Sequence, residues 1–140
     1  MKTWIEEQKL SSLMYGLYGL IRVTSLRSSR FREKLREKDV VLVMASRDKE
    51  VSRTFRCSNG VVRSEKGWAG DAASRIIWVT PNAGSRVMMK VARGNPKALM
   101  KAVMKGELIP EGDAAGIKWF LDVVGLLSKL YSGTIEKETA

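Results

Sequence analysis

Apolar residues recur along the first 26 positions at the spacing of an α-helix. In "TWIEEQKLSSLMYGLYGLIRVTSL" (3–26), Leu10, Leu13, Met14, Leu17, Leu20 and Ile21 share one arc, with Ser12, Gly16 and Gly19 as a small-residue stripe opposite. An interior glycine costs a helix about 1 kcal/mol against alanine, so the stripe is expected to admit close approach of another helix or of the sheet. A second, short helix is expected within "RSSRFREKLREK" (27–38), capped by Ser28 or Ser29.

The period then changes. "VVLVMA" (40–45) is a continuous apolar strand, "VSRTFRC" (51–57) alternates, and "VVRSE" (61–65) follows Asn59-Gly60. Asn-Gly is a strong signal for a two-residue hairpin turn, because both residues tolerate positive φ. With that turn, Ser58 faces Val61, Cys57 faces Val62 and Arg56 faces Arg63. Two opposed arginines repel each other. Either water and rotamer freedom absorb the conflict, or the pair shares a bound anion.

"SRIIWVT" (74–80) reads as a fourth strand. Thr80 and Pro81 then suit the N-cap and first residue of a helix over 81–94, with Arg86, Lys90 and Arg93 on one side. A further helix follows Pro96. Lys97, Lys101 and Lys105 form its stripe, Leu99 and Val103 point away from them, and alanines and methionines fill the flanks. "ELIPE" (107–111) fits an edge strand, since Pro110 lacks an N–H. The last helix, 114–131, is apolar apart from Lys118, Asp122, Lys129 and a few small residues. Strands followed by helices predict an α+β fold with the helices mainly on one sheet face. One domain is expected over 1–140: an N-terminal helix (1–26), the core (27–131) and a frayed tail (132–140).

Composition narrows the chemistry. Apolar residues make up 44% and charged residues 29%, typical of a globular chain. The absence of histidine removes Ser-His-Asp and Cys-His arrangements, HExxH and the usual zinc sites. No GxGxxG, P-loop or GxSxG is present. Glu107, Glu111 and Asp113 could in principle form a carboxylate centre, but they fall where carboxylates commonly cap or solvate. The single cysteine, Cys57, admits no intramolecular disulfide and suits a reducing, cytoplasmic setting. The acidic start "MKTWIEEQ" does not resemble a secretory signal, and the uncharged run 10–21 is too short to span a bilayer.

Net charge is +10, with Arg27, Arg30, Arg32, Lys34, Arg36 and Lys38 crowded around Glu33 and Glu37. Such a run is either a solvated, partly self-paired surface or an attractor for lipid head groups, a CoA phosphate or nucleic acid. Against nucleic acid, the aromatics Trp4, Tyr15, Tyr18, Trp119 and Phe120 fall in helical, apolar patterns.

The order of segments resembles the sterol carrier protein 2 (SCP2) family in its stand-alone prokaryotic form. The matching stretches are "FREKL" (31–35), "RTFRCSNGVV" (53–62), Gly67, Asp71 before "IIWV", "GNPKALM" and above all "KGELIPEGD" (105–113). The likeness covers roughly residues 25 to 130. It implies a five-stranded, mainly antiparallel or mixed sheet covered on one face by helices, with an apolar tunnel between the layers. It also implies non-catalytic binding or transfer of sterol, fatty acid or fatty acyl-CoA with no cofactor and no metal. Transient contact with an anionic membrane surface and a homodimer are compatible with it.

Helix faces combined with that architecture nominate Phe55, Val87, Met88, Val91, Leu99, Met100, Val103, Met104, Phe120, Val124 and Leu127 as lipid-binding residues. Arg56, Arg63, Lys97 and Lys101 are the head-group candidates. The rival expectation is an oligomeric structural or interaction module with a filled core and no ligand.

Overall fold

The computed structural model describes residues 2–131. Among them are helices α1 (Lys2–Arg27) and α2 (Ser29–Arg36), strands β1 (Val40–Ser46), β2 (Ser52–Ser58), β3 (Val61–Lys66) and β4 (Ser74–Trp78), helices α3 (Pro81–Ala92) and α4 (Lys97–Met104), strand β5 (Leu108–Gly112) and helix α5 (Ala114–Tyr131). The tail expected to fray, 132–140, lies outside the described residues.

Local chemistry explains where these elements begin. The Ser28 side chain accepts a hydrogen bond from the Phe31 amide at 3.1 Å, and Thr80 caps α3 through the Ala83 amide at 3.1 Å. Asn59 and Gly60 turn the β2–β3 hairpin with φ of 52° and 80°. The turn fixes the register, so Cys57 pairs with Val62 and Arg56 with Arg63.

The sheet order is β3-β2-β1-β4-β5, with β1 and β4 parallel and the other neighbours antiparallel. The fold is therefore α+β with a mixed five-stranded sheet. Its inner face carries Leu42, Met44, Phe55, Ile76, Trp78 and Leu108, buried beneath the helices.

The outer face is also partly apolar: Val43, Ala45 and Ile77 are buried there with Ala72, and Trp68 packs alongside. Residues 67–73 close over this side. Thr54 holds them, donating to the Gly67 carbonyl at 2.9 Å and accepting from the Ala69 amide at 3.1 Å. Arg56 completes the clasp with two bonds to Asp71 at 2.8 and 3.0 Å and one to Glu65 at 2.9 Å.

The small-residue stripe of α1 meets no neighbour. A Cβ placed on Gly16 or Gly19 would find no atom within 4 Å. The close approach occurs at Gly84 in α3 instead, where a Cβ would lie 2.8 Å from Trp78 Cγ and 3.0 Å from Leu10 Cδ1. Helix α3 can therefore settle onto the sheet and α1 only without a side chain at that point.

Candidate functional site

A cavity of about 340 Å³ lies between the inner face of the sheet and the helices. Its floor is Met44, Ile76, Trp78 and Leu108, and α1 contributes Leu13, Leu17 and Leu20. Helices α3 and α4 add Met88, Val91 and Leu99, and α5 adds Phe120, Leu121, Val124 and Leu127. The wall residues Ser12, Gly16 and Ala92 are exposed, so the cavity opens to solvent between α1 and the end of α3.

The lining is almost free of polar groups. Ser12 sits at the mouth, and the Ser128 hydroxyl is engaged, donating to the Val91 carbonyl at 2.5 Å. A volume near the lower end of ligand pockets, roughly 300–1,000 Å³, with such walls suits an apolar chain or ring system.

Six of the residues nominated from sequence meet around this cavity: Met88, Val91, Leu99, Phe120, Val124 and Leu127. The other five do not. Phe55 and Val87 are buried outside the wall, and Phe55 supports it from behind, its ring centroid 5.4 Å from that of Phe120. Val103 is half-buried and away from the lining. Met100 and Met104 face solvent, 59% and 83% exposed. Helix α4 turns Ala98, Leu99 and Ala102 inward, because the short alanines let it sit close to its neighbours. The methionines lie on the far side, away from the cavity.

The nominated cations also divide. Arg56 pairs with Asp71 and Glu65 and so closes the loop over the outer face, away from the cavity lining. Its hydrogen bonds are the main reason the Asp71 carboxyl is held below its ordinary range. Arg63, opposite it, is exposed on the edge strand β3 and does not line the cavity. Lys97 lines an open cleft of about 930 Å³ between α2, α4 and α5, together with Arg30, Lys34, Glu37 and Asp122. Leu99 and Leu121 belong to both this cleft and the apolar cavity. Lys101 is exposed outside both.

The three late carboxylates have structural tasks. Glu107 pairs with Arg86, Glu111 with Arg75 at 3.4 Å, and Asp113 accepts from the Gly116 amide at 3.1 Å. Burial, helped by the negative charge of Asp39, pushes the Cys57 thiol up to about 12. Among the described residues no group of three His, Cys, Asp or Glu is placed to hold a metal ion.

Sequence reasoning missed the contribution of α1 and of the sheet. The signal from α1 was present: Leu13, Leu17 and Leu20 recur at helical spacing, and Ser12 and Gly16 flank them. In "VVLVMA" and "IIWV" both sheet faces are apolar, so no alternation marks Met44, Ile76 and Trp78 as facing the helices.

The mixed five-stranded sheet roofed by helices has an SCP2-like fold. Solved structures of that kind superpose on most of the chain. One is described as UbiJ-SCP2, a ubiquinone synthesis protein, 24% identical, with a TM-score of 0.58 over 81% of this chain and 88% of that one. Another is sterol carrier protein 2, 18% identical, with a TM-score of 0.55 over 84% of this chain and 94% of that one. No protein-family model matches the sequence, and no curated protein matches it closely enough to count.

Proposed function

We propose that this chain binds and hands on lipids without covalent chemistry, holding an apolar chain or ring system in the cavity between sheet and helices. The cavity carries this reading: it is walled mainly by aliphatic and aromatic side chains and opens to solvent beside Gly16. The names of the two structural neighbours, a sterol carrier and a ubiquinone synthesis protein, support lipids as the ligand class.

Sterols, fatty acids and fatty acyl-CoA are the candidate ligands. Burying about ten methylenes gains about 8 kcal/mol at about 0.8 each. After ordering costs that gives micromolar affinity, weak enough for release to a membrane. Contact with an anionic bilayer belongs to the same reading. The chain carries a net charge of +10, and α1 exposes Trp4, Tyr15 and Leu26 on one face. No described helix is long and apolar enough to cross a membrane.

The test is native mass spectrometry of the protein as purified from cells, with solvent extraction of bound material and titration with fatty acid, acyl-CoA and sterol. A co-purifying lipid, or saturable binding at micromolar concentration, is expected. A bare mass together with failure of every titration would sink the reading.

A further inference from the structure

Helix α1 is apolar on two opposite sides. Leu10, Met14, Leu17 and Ile21 are buried in the core, while Trp4, Ile5, Tyr15, Val23 and Leu26 are exposed by 41 to 80%. On a helical wheel these five exposed side chains share an arc of about 100°, drawn along about 33 Å of helix. A surface helix ordinarily turns charged and polar residues to solvent there. Nothing among the described residues covers the middle of the arc, where a Cβ on Gly19 would meet no atom within 4 Å.

The charges around the arc have one sign. Among the exposed residues of α1 from Trp4 onward, the charged ones are Lys9, Arg22 and Arg27, all basic. Glu6 and Glu7 are half-buried and fall outside the arc. On the edge nearest the hairpin, two arginines are steadied by tyrosines. Arg22 Cζ lies 6.0 Å from the Tyr18 ring centroid, and its Nη1 donates to the Tyr18 hydroxyl at 3.2 Å. Arg53 Cζ, from β2, lies 5.1 Å from the Tyr15 ring centroid, and its Nη1 donates to the Ser64 hydroxyl at 2.7 Å. Neither arginine forms an ion pair with a carboxylate among the described residues.

We infer that this arc is a docking surface for an anionic lipid bilayer, with Arg22 and Arg53 taking head-group phosphates and the apolar side chains entering the interface. An apolar arc bordered by cations matches the boundary between acyl chains and anionic head groups. A second copy of the chain would bring the cationic borders together with no acid between them. A nucleic acid would leave Ile5, Val23 and Leu26 nothing apolar to bury against. Ser12 and Gly16, beside which the cavity opens, lie on the same side of α1. Docking therefore turns the mouth toward the bilayer, and a lipid passes between membrane and cavity without crossing water. This rests on the lipid-binding reading and names the partner surface of that same site.

The test is flotation of the full chain with vesicles of phosphatidylcholine, alone or mixed with phosphatidylglycerol. The mixed vesicles are expected to bind about tenfold tighter at low salt, and the gain should shrink in high salt. Ile5→Gln combined with Leu26→Gln removes two exposed apolar side chains that line neither the cavity nor the cleft. Its affinity for the mixed vesicles should fall about tenfold, while fatty-acid affinity in solution stays as in the wild type. A second readout needs no variant. In bicelles of the mixed lipids carrying a spin-labelled lipid, the Val23 and Leu26 methyl resonances should be bleached. Those of Val41 and Ile109, on the outer face of the sheet, should persist.

If the mixed vesicles bind no better than phosphatidylcholine, if the double variant binds them like the wild type, or if Val23 and Leu26 escape bleaching, the docking surface is refuted. The lipid-binding reading then stands on the fatty-acid titration. An oligonucleotide bound more tightly than the mixed vesicles would name a different partner and also refute the docking surface. If fatty acid fails to bind, both fall.

Discussion

Replacing Gly16 with tryptophan should close the cavity without disturbing the fold. Gly16 lies on α1 at the cavity mouth, exposed, with no atom within 4 Å of the position a Cβ would take. The new side chain therefore starts in open space and meets no backbone. Helix propensity favours the change by about 0.5 kcal/mol, since glycine is about 1 kcal/mol worse than alanine and tryptophan about half that. The indole then competes with the ligand for space between α1 and the end of α3. If it excludes roughly four methylenes, at about 0.8 kcal/mol each, about 3 kcal/mol of binding is lost, on the order of a hundredfold in affinity. Displacement titration with a fluorescent fatty acid measures the affinity, and urea unfolding measures stability alongside it. Unchanged affinity in a folded Gly16→Trp variant would refute the assignment of the mouth. A marked loss of stability would show that the space beside Gly16 is not free.

Met104→Trp serves as the contrasting substitution: with Met104 83% exposed, the same two assays should register no more than a marginal change. Asp71→Asn should loosen residues 67–73, seen as faster amide exchange at Ala69. Because the folded carboxyl lies below its ordinary value of 3.8, its contribution is present above that pH and is lost as pH falls through the lower folded value. Urea midpoints of wild type and variant should therefore differ at pH 6 and converge on acidification; a gap that widens in acid would contradict the clasp. Cys57 is buried with its thiol near 12, so iodoacetamide at pH 8 should leave the folded protein unlabelled and modify it rapidly in urea. Quick labelling of the folded protein would show that β2 opens locally.

Much of the scaffold was legible in the sequence because local chemistry decides it. Asn59-Gly60 set the hairpin register, Ser28 and Thr80 marked helix starts, and Pro110 placed β5 at an edge. The inward arc of α1 was legible too: Leu10, Met14, Leu17 and Ile21 are buried. What the pattern could not supply was the packing partner of each arc. The stripe at Gly16 and Gly19 signalled room for a neighbour and instead borders open space, while the close contact fell at Gly84. In α4 the methionines are the larger apolar residues, yet Ala98 and Ala102 face inward, because helix-to-neighbour distance decided the outcome and side-chain hydrophobicity did not. Arg56 was read from its cross-strand partner alone. Its actual partner, Asp71, arrives from a loop fifteen residues on and crosses the sheet face.

The four methionines that separate wall from surface allow the most direct test of the central claim. Met44 and Met88 line the cavity, whereas Met100 and Met104 lie outside it. In the protein carrying ¹³C-labelled methionine methyls, titration with hexadecanoate should shift the Met44 and Met88 methyl resonances and leave those of Met100 and Met104 in place. Shifts confined to Met100 and Met104, with Met44 and Met88 unmoved at saturation, would place the lipid on the surface and contradict the account.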